Sequence, residues 1–398
     1  MTVRIPLAKP EITDADREAV MEVLHTPHLS SGPKVAEFER AVCDYTRAKH
    51  AVAVNSGTSA LQFAIRALGI ERGAEVLLPS FTFSAVLNVI LLEGLRPRFV
   101  DIDPRTYNWS AESILAAVTE NTRLIIAVHT FGFPQDVAAI IQGLSRRSWK
   151  NKIHVIEDAC EALSADVHGG KAGTLADAGL FAFYPNKQIT TGEGGMLVTS
   201  HEKVARKAAQ LRNQGRDPAL GWNSHAEIGF SYRISDINCA LGISQLARME
   251  DIINGRQKIA EAYERELSNI QEIVRPSLTS DVGRISWFVY PIQLSAEFTA
   301  AERHRICESM LQKGIGTGKY FAPLHRQPVL QKSLKTFSTE DAGLHRGNAT
   351  EETVALPMTE LVADRVIQLP FFNELNKGEI QEVCRALKDA IQDARRNT

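Results

Sequence analysis

No CxxC pair, no HExxH and no GxxxxGK(S/T) loop occurs in the 398 residues, and no GxGxxG follows a strand-like run. Zinc hydrolase, nucleoside triphosphatase and dinucleotide dehydrogenase chemistries therefore lose the patterns they depend on, and no metal site is expected. Charge of one sign is missing too: 45 Lys plus Arg against 47 Asp plus Glu give a formal net charge of −2, which speaks against nucleic acid or a membrane surface as a partner. The five cysteines are odd in number and scattered (Cys43, Cys160, Cys239, Cys307, Cys384), as in reduced, intracellular proteins. Long apolar runs are absent, since the longest, 85–92, is interrupted by Asn88, and residues 1–10 carry no apolar signal core. A cytoplasmic protein without a membrane span is the expectation.

What is present is a composition of 44% hydrophobic and 23% charged residues with 26 glycines, enough for a large packed core. From about residue 50 to 200, short β-branched apolar runs alternate with helical patterns, the rhythm of an α/β sheet. Strands are expected at 51–54, 75–78, 98–100, 124–128, 154–156, 180–183 and 196–199, several buried on both faces because apolar residues continue without alternation. Helices are expected at 59–68, 111–118 and 136–144. After Arg233 one long helix, capped by Ser235 and Asp236, is expected to run to about Leu267. A second unit then follows, with a β-like run at 287–290, a helix at 301–313, a Gly- and Pro-rich loop at 314–328 and a closing helix from Lys377. The division is drawn at 1–250 for a large domain and 251–398 for a smaller one.

Three constellations carry chemistry. Asn55-Ser56-Gly57-Thr58-Ser59 sits where a strand gives way to a helix, a position that suits either a bound phosphate or an ordinary hydroxyl cap. Glu157-Asp158 ends an apolar strand, where an aspartate either pairs with a cationic ring nitrogen or caps the next helix. Lys187 follows a strand and a Tyr-Pro-Asn turn and precedes a glycine-rich return, so it is either a sheltered amine able to form a Schiff base or a surface charge. Phe81 or Phe83 offers a stacking ring, or a core residue. Phosphate cradle, ring-nitrogen carboxylate and sheltered lysine together are what pyridoxal phosphate requires.

The chain resembles the nucleotide-sugar aminotransferases of the DegT/StrS type, which are fold type I pyridoxal-phosphate enzymes. The resemblance runs through SGTSAL (56–61), PSFTF (79–83), the HTFG turn (129–132), EDA (157–159), YPNKQITTGEGG (184–195), GFSYRISDINCALGISQL (229–246), APLHRQP (322–328) and RVIQLPFF (365–372). It implies a three-layer α/β fold with a mostly parallel seven-stranded sheet and a smaller C-terminal α+β domain, working as a homodimer with shared active sites. It also implies pyridoxal 5'-phosphate as cofactor, with Lys187 as the Schiff-base lysine and acid/base, Asp158 on the pyridine nitrogen, Gly57 and Thr58 on the phosphate and Phe83 on the ring face. Relatives that dehydrate carry His at the lysine position, so Lys187 implies transamination.

The implied reaction is ping-pong, from an amino acid, most often L-glutamate, to a keto sugar on a nucleoside diphosphate. Arg233, His325 and the loop 212–216 are candidate contacts to that diphosphate, or ordinary surface charge. Three positions depart from the family pattern. Glu161 stands where Gln or His is common near the ring hydroxyl, Ala182 stands for a phosphate-binding Ser, and Ser231 stands for the Asn that reaches the neighbouring subunit's cofactor. Phosphate binding is then expected to lean on backbone N–H groups, Thr58 and Thr190 or Thr191. Keto-cyclitol amination and a non-catalytic cofactor-binding regulator are the alternatives.

Overall fold

The computed structural model describes residues 3–221, 224–330, 332–333 and 355–396. Seven strands form the main sheet: β1 (His50–Val54), β2 (Glu75–Pro79), β3 (Arg96–Val100), β4 (Thr122–Val128), β5 (His154–Asp158), β8 (Ala178–Ala182) and β9 (Gly195–Thr199). Between β5 and β8 a small hairpin joins β6 (Asp166–Val167) to β7 (Gly170–Lys171). The sheet order is β1-β9-β8-β5-β4-β2-β3, and β9 alone runs against the others. The sequence-expected strands fall within one or two residues of these bounds.

Uninterrupted apolar strands arise because both faces are covered. On β4, Leu124, Ile126 and Val128 join one buried cluster, while Ile125 and Ala127 join another on the opposite face. Helices Gly57–Leu68, Ala85–Leu92 and Glu202–Arg212 cover the first face; Pro33–Thr46, Ala111–Ala117 and Val137–Ser145 cover the second. Each fully buried Leu or Ile removed from water contributes about 1.5–3 kcal/mol, so the sandwiched strands hold the three layers together.

The C-terminal part has an antiparallel sheet of β10 (Ile273–Val274), β11 (Tyr290–Leu294) and β12 (Val366–Leu369), packed by helices Ala300–Gln312, Pro357–Arg365 and Lys377–Arg396. Two elements differ from those expected of the sequence. The strand begins at Tyr290, and residues 287–289 are irregular because their backbone serves other partners: buried Arg256 donates to the carbonyls of Trp287 (2.5 Å) and Phe288 (2.8 Å). The single long helix is two, Asp236–Ala247 and Met249–Glu266, broken at Arg248 (φ −114°, ψ 21°). There the guanidinium is clamped by the Glu11 carbonyl (2.7 Å), the Glu11 carboxylate (2.7 Å) and Asp16 (3.0 Å). The second helix straddles two cores. Met249, Ile252 and Ile253 pack with the main sheet, whereas Ile259, Ala260 and Tyr263 pack with the C-terminal layer. Among the described residues no helix is long and apolar enough to cross a membrane.

Asp16, fully buried, is the hub that fastens the N-terminal helix Asp14–Leu24 to this frame. It closes a capping box with Thr13 and accepts from Ser244 (2.7 Å), Gln245 (2.7 Å) and Arg248. Burial pushes its carboxyl upward, but bonds from Ser244, Thr13 and Gln245 and the Arg248 charge outweigh it, leaving the group below its ordinary range. A folded-state value below the unfolded one contributes stability at neutral pH, lost as the pH falls through the carboxylate range. Asp16→Asn should therefore lower unfolding stability at neutral pH by about 1–3 kcal/mol. In urea titrations at descending pH the gap between wild type and variant should close. A gap that stays constant with pH would refute the ionised hub.

Candidate active site

At the C-terminal ends of β4, β5 and β8 lies a cavity of about 390 Å³, lined mostly by apolar atoms. This is the edge at which open α/β sheets place their ligands. Side chains alternate along β5, so Ile156 and Asp158 face the cavity side while Glu157 points to the other face. Glu157 is fully buried and satisfied by the N–H groups of Gly173 (2.8 Å), Leu175 (2.7 Å) and Ala176 (2.9 Å), with His129 Nε2 at 3.2 Å. His129 Nδ1 accepts from the Gln135 N–H (3.0 Å), so the ring proton sits on Nε2, toward Glu157. Asp158 is left to the cavity, steadied by the Cys160 N–H (3.1 Å).

Lys187 is presented by a tight turn after β8, in which its N–H donates to the Tyr184 carbonyl (2.9 Å) and the Thr191 N–H to the Phe183 carbonyl (2.9 Å). Its ammonium lies 4.2 Å from the centre of the Phe288 ring and 3.4 Å from Glu161 Oε1, with the lysine side chain 14% exposed. Glu161 Oε2 accepts from the Phe131 N–H (2.9 Å). Burial pushes the Glu161 carboxyl upward, an effect that the Lys187 charge and the Phe131 N–H only partly offset and the Asp158 charge adds to.

The opposite end of the cavity is the start of helix Gly57–Leu68. Ser56 caps it, taking the Ser59 N–H on its hydroxyl and the Ala60 N–H on its carbonyl (both 3.1 Å), and Gly57 and Thr58 border the cavity. A Cβ at Gly57 would lie 2.9 Å from both Ala182 Cβ and Cys160 Sγ, so only glycine leaves this cradle open. Behind it, a Cβ at Gly195 would come within 2.6 Å of the Gly57 nitrogen. Phe83, 60% exposed, lines the cavity, whereas Phe81 is fully buried against Tyr107, Phe131 and Phe321.

The remaining candidates lie elsewhere in the chain. Ser231 is exposed, pairs with Asn213 through the backbone and does not line the cavity. Arg233 donates to Asn213 (3.1 Å), and Arg212 is tied to Glu39 (2.5 Å) and the Ala53 carbonyl (2.7 Å). His325 is not a cavity residue: its Nδ1 meets Ser80 Oγ (2.7 Å) and its Nε2 meets Glu360 (3.1 Å). Thr190 and Thr191 spend their hydroxyls inside the lysine turn, on the carbonyls of Phe183 (3.0 Å) and Glu193 (2.7 Å). Neither hydroxyl faces the cavity as a phosphate ligand would. Sequence reasoning missed the cavity walls Tyr184, Asn186, Phe288, Tyr320 and Phe321. Tyr184 and Asn186 flank Lys187 within one motif, a signal that was available; Phe288 and Phe321 carry none.

A three-layer α/β sheet with a lysine turn, an aspartate at the neighbouring strand end and an open helix N-terminus around one cavity is the architecture of the fold type I transferases. The chain belongs to the DegT/DnrJ/EryC1/StrS aminotransferase family, whose model matches residues 10–388. It is 37% identical to GDP-perosamine synthase of Caulobacter vibrioides, over 82% of this chain and 86% of that protein. It is 32% identical to the spore coat polysaccharide biosynthesis protein SpsC of Bacillus subtilis, over 98% of each. Among solved structures it is similar to Helicobacter pylori PseC, an aminotransferase involved in the biosynthesis of pseudoaminic acid. That likeness has a TM-score of 0.87 and 25% identity over 98% of this chain and 99% of that one.

The Phe131-Gly132 turn places the N–H that Glu161 receives, and it permits only glycine at its second position. Gly132 has φ +88°, and a Cβ there would lie 1.8 Å from the Ser286 carbonyl oxygen. Gly132→Ala should destabilise the protein by about 3 kcal/mol or more and displace Phe288 from Lys187. Denaturant midpoints test this; a variant within about 0.5 kcal/mol of wild type would show that the turn relaxes freely.

Proposed function

We propose that the protein is a pyridoxal-phosphate-dependent sugar aminotransferase. In this reading it moves an amino group from an amino acid, L-glutamate by the family's habit, to a keto sugar carried on a nucleoside diphosphate. The observation that carries the reading is the meeting of Lys187, Asp158, the Gly57–Thr58 cradle and Phe83 in one largely apolar cavity. The donor set suits the cofactor: a carboxylate for a cationic ring nitrogen, an amine for its carbonyl, open backbone at a helix N-terminus for its phosphate and an aromatic face for its ring. When bound, the cofactor supplies a conjugated ring that withdraws electrons from the carbon bearing nitrogen.

The chain's own residues would do the rest. Asp158 would hold the proton on the ring nitrogen. Lys187 would bind the carbonyl carbon and then hold and move a proton at Nζ. Phe288, Tyr320 and Phe321 would keep water from the reacting atoms, strengthening each charge interaction within. Ala182 supplies no hydroxyl at the cradle, so the phosphate would rest on backbone N–H groups and Thr58. The relatives named for a perosamine nucleotide and for coat polysaccharide support a sugar as acceptor. A homodimer whose partner subunit supplies further contacts, with Ser231 and Arg233 on that surface, belongs to the same proposal.

Purified protein given pyridoxal phosphate should acquire visible absorbance that L-glutamate bleaches. Lys187→Ala should lose transamination by at least about a hundredfold and retain no cofactor mass after borohydride reduction. A variant that still transaminates at the wild-type rate would remove Lys187 from the mechanism. Turnover should be faster with a nucleotide-linked keto sugar than with a free keto-cyclitol, and the opposite ranking would overturn the acceptor assignment.

A further inference from the structure

We propose that Glu161 is the base that takes the ammonium proton of Lys187, freeing the amine that captures the cofactor. The inference rests on the reading of the cavity as a pyridoxal-phosphate site. A lysine in water carries its proton firmly at neutral pH and must shed it to become nucleophilic. In this cavity the Lys187 Nζ has an apolar ring on one side, Phe288 at 4.2 Å, and the Glu161 Oε1 at 3.4 Å.

The groups facing Glu161 are Lys187, Asp158, Cys160 and Tyr320. Asp158 is turned to the cavity and engaged by the Cys160 N–H. The Cys160 thiol is held protonated by burial, reinforced by the Asp158 charge. The Tyr320 phenol is likewise held protonated by burial, reinforced by the Glu161 charge.

Glu161 is differently placed. One oxygen is anchored by the Phe131 N–H, which fixes the carboxylate, and the other is directed at the lysine. Burial raises its proton affinity toward that of the amine, which makes an exchange between them accessible. In the step, one N–H bond of Lys187 breaks, an O–H bond forms on Glu161 Oε1 and the nitrogen keeps the electron pair. The free amine can then condense with an aldehyde, releasing water. An amide at this position would leave the lysine without a base, so Glu161 gives this chain a proton acceptor that a Gln would not supply.

The transfer takes place inside the cavity, from Lys187 Nζ to Glu161 Oε1, without the proton passing to solvent. The test is the rate of colour development when pyridoxal phosphate is added to the cofactor-free protein, followed from about pH 6.5 to pH 8.5. Wild type should vary by less than about twofold. Glu161→Gln should lose about tenfold in rate for each unit of falling pH, since its lysine must deprotonate to solvent. Glu161→His, which restores a base, should recover a flatter profile. The wild-type profile decides by itself: a tenfold-per-unit slope in wild type overturns the role of Glu161 while leaving the cofactor site standing. Absence of colour at every pH in wild type overturns the cofactor reading and this inference together.

Discussion

Strand pleating at the end of β5 sends two adjacent carboxylates to opposite faces of the sheet, and the site depends on that separation. Glu157, with no exposure, requires the three N–H groups of residues 173, 175 and 176 and the His129 ring to be in place. A one-residue slip in register would turn both acids to the opposite faces, taking Glu157 from its buried donors and Asp158 from the cavity. The backbone bonds around Glu157 therefore fix the register of β5. That register in turn sets Val128 beside Asp158 on the neighbouring strand and brings the lysine turn after β8 to the same cavity.

Much of the architecture was legible from periodicity, because strands covered on both faces leave continuous apolar runs and their connecting helices leave polar caps. The lysine, the aspartate and the helix start were legible because each sits at a strand end inside a compact motif. What escaped was decided by distant partners. Arg248 breaks a helix whose local pattern is continuous, since Glu11 and Asp16 claim its guanidinium across more than 200 residues of sequence. The run 287–290 has strand-like residues, but Arg256 and the Phe131-Gly132 turn take the backbone of Trp287 and Phe288, so that only Tyr290 joins the strand. His325 carries the polarity of a ligand contact, yet Ser80 and Glu360 absorb both its nitrogens. Thr190 and Thr191 have hydroxyls of the right kind, but holding the lysine turn in shape consumes them.

Two of the three departures from the family pattern, Ala182 and Glu161, fall at two ends of one cavity, and Ser231 lies outside it. At the Gly57 end, Ala182 carries no hydroxyl but fits against Gly57, where the approach is already too close for a Cβ. At the lysine end, Glu161 brings an acid into a largely apolar enclosure. Electrostatic interactions grow as water is excluded, so a single carboxyl there alters proton affinities more than several surface charges would.

The straddling helix Met249–Glu266 has a mechanical meaning. Its first turns are fixed in the core of the main sheet, its last turns in that of the C-terminal layer, and this layer also delivers Phe288, Tyr320 and Phe321 to the cavity wall. The helix thus couples the floor of the cavity to its wall through a single rigid element. The spacing between the two layers, and with it the width of the cavity, is therefore set by side chains on this helix that never line the cavity.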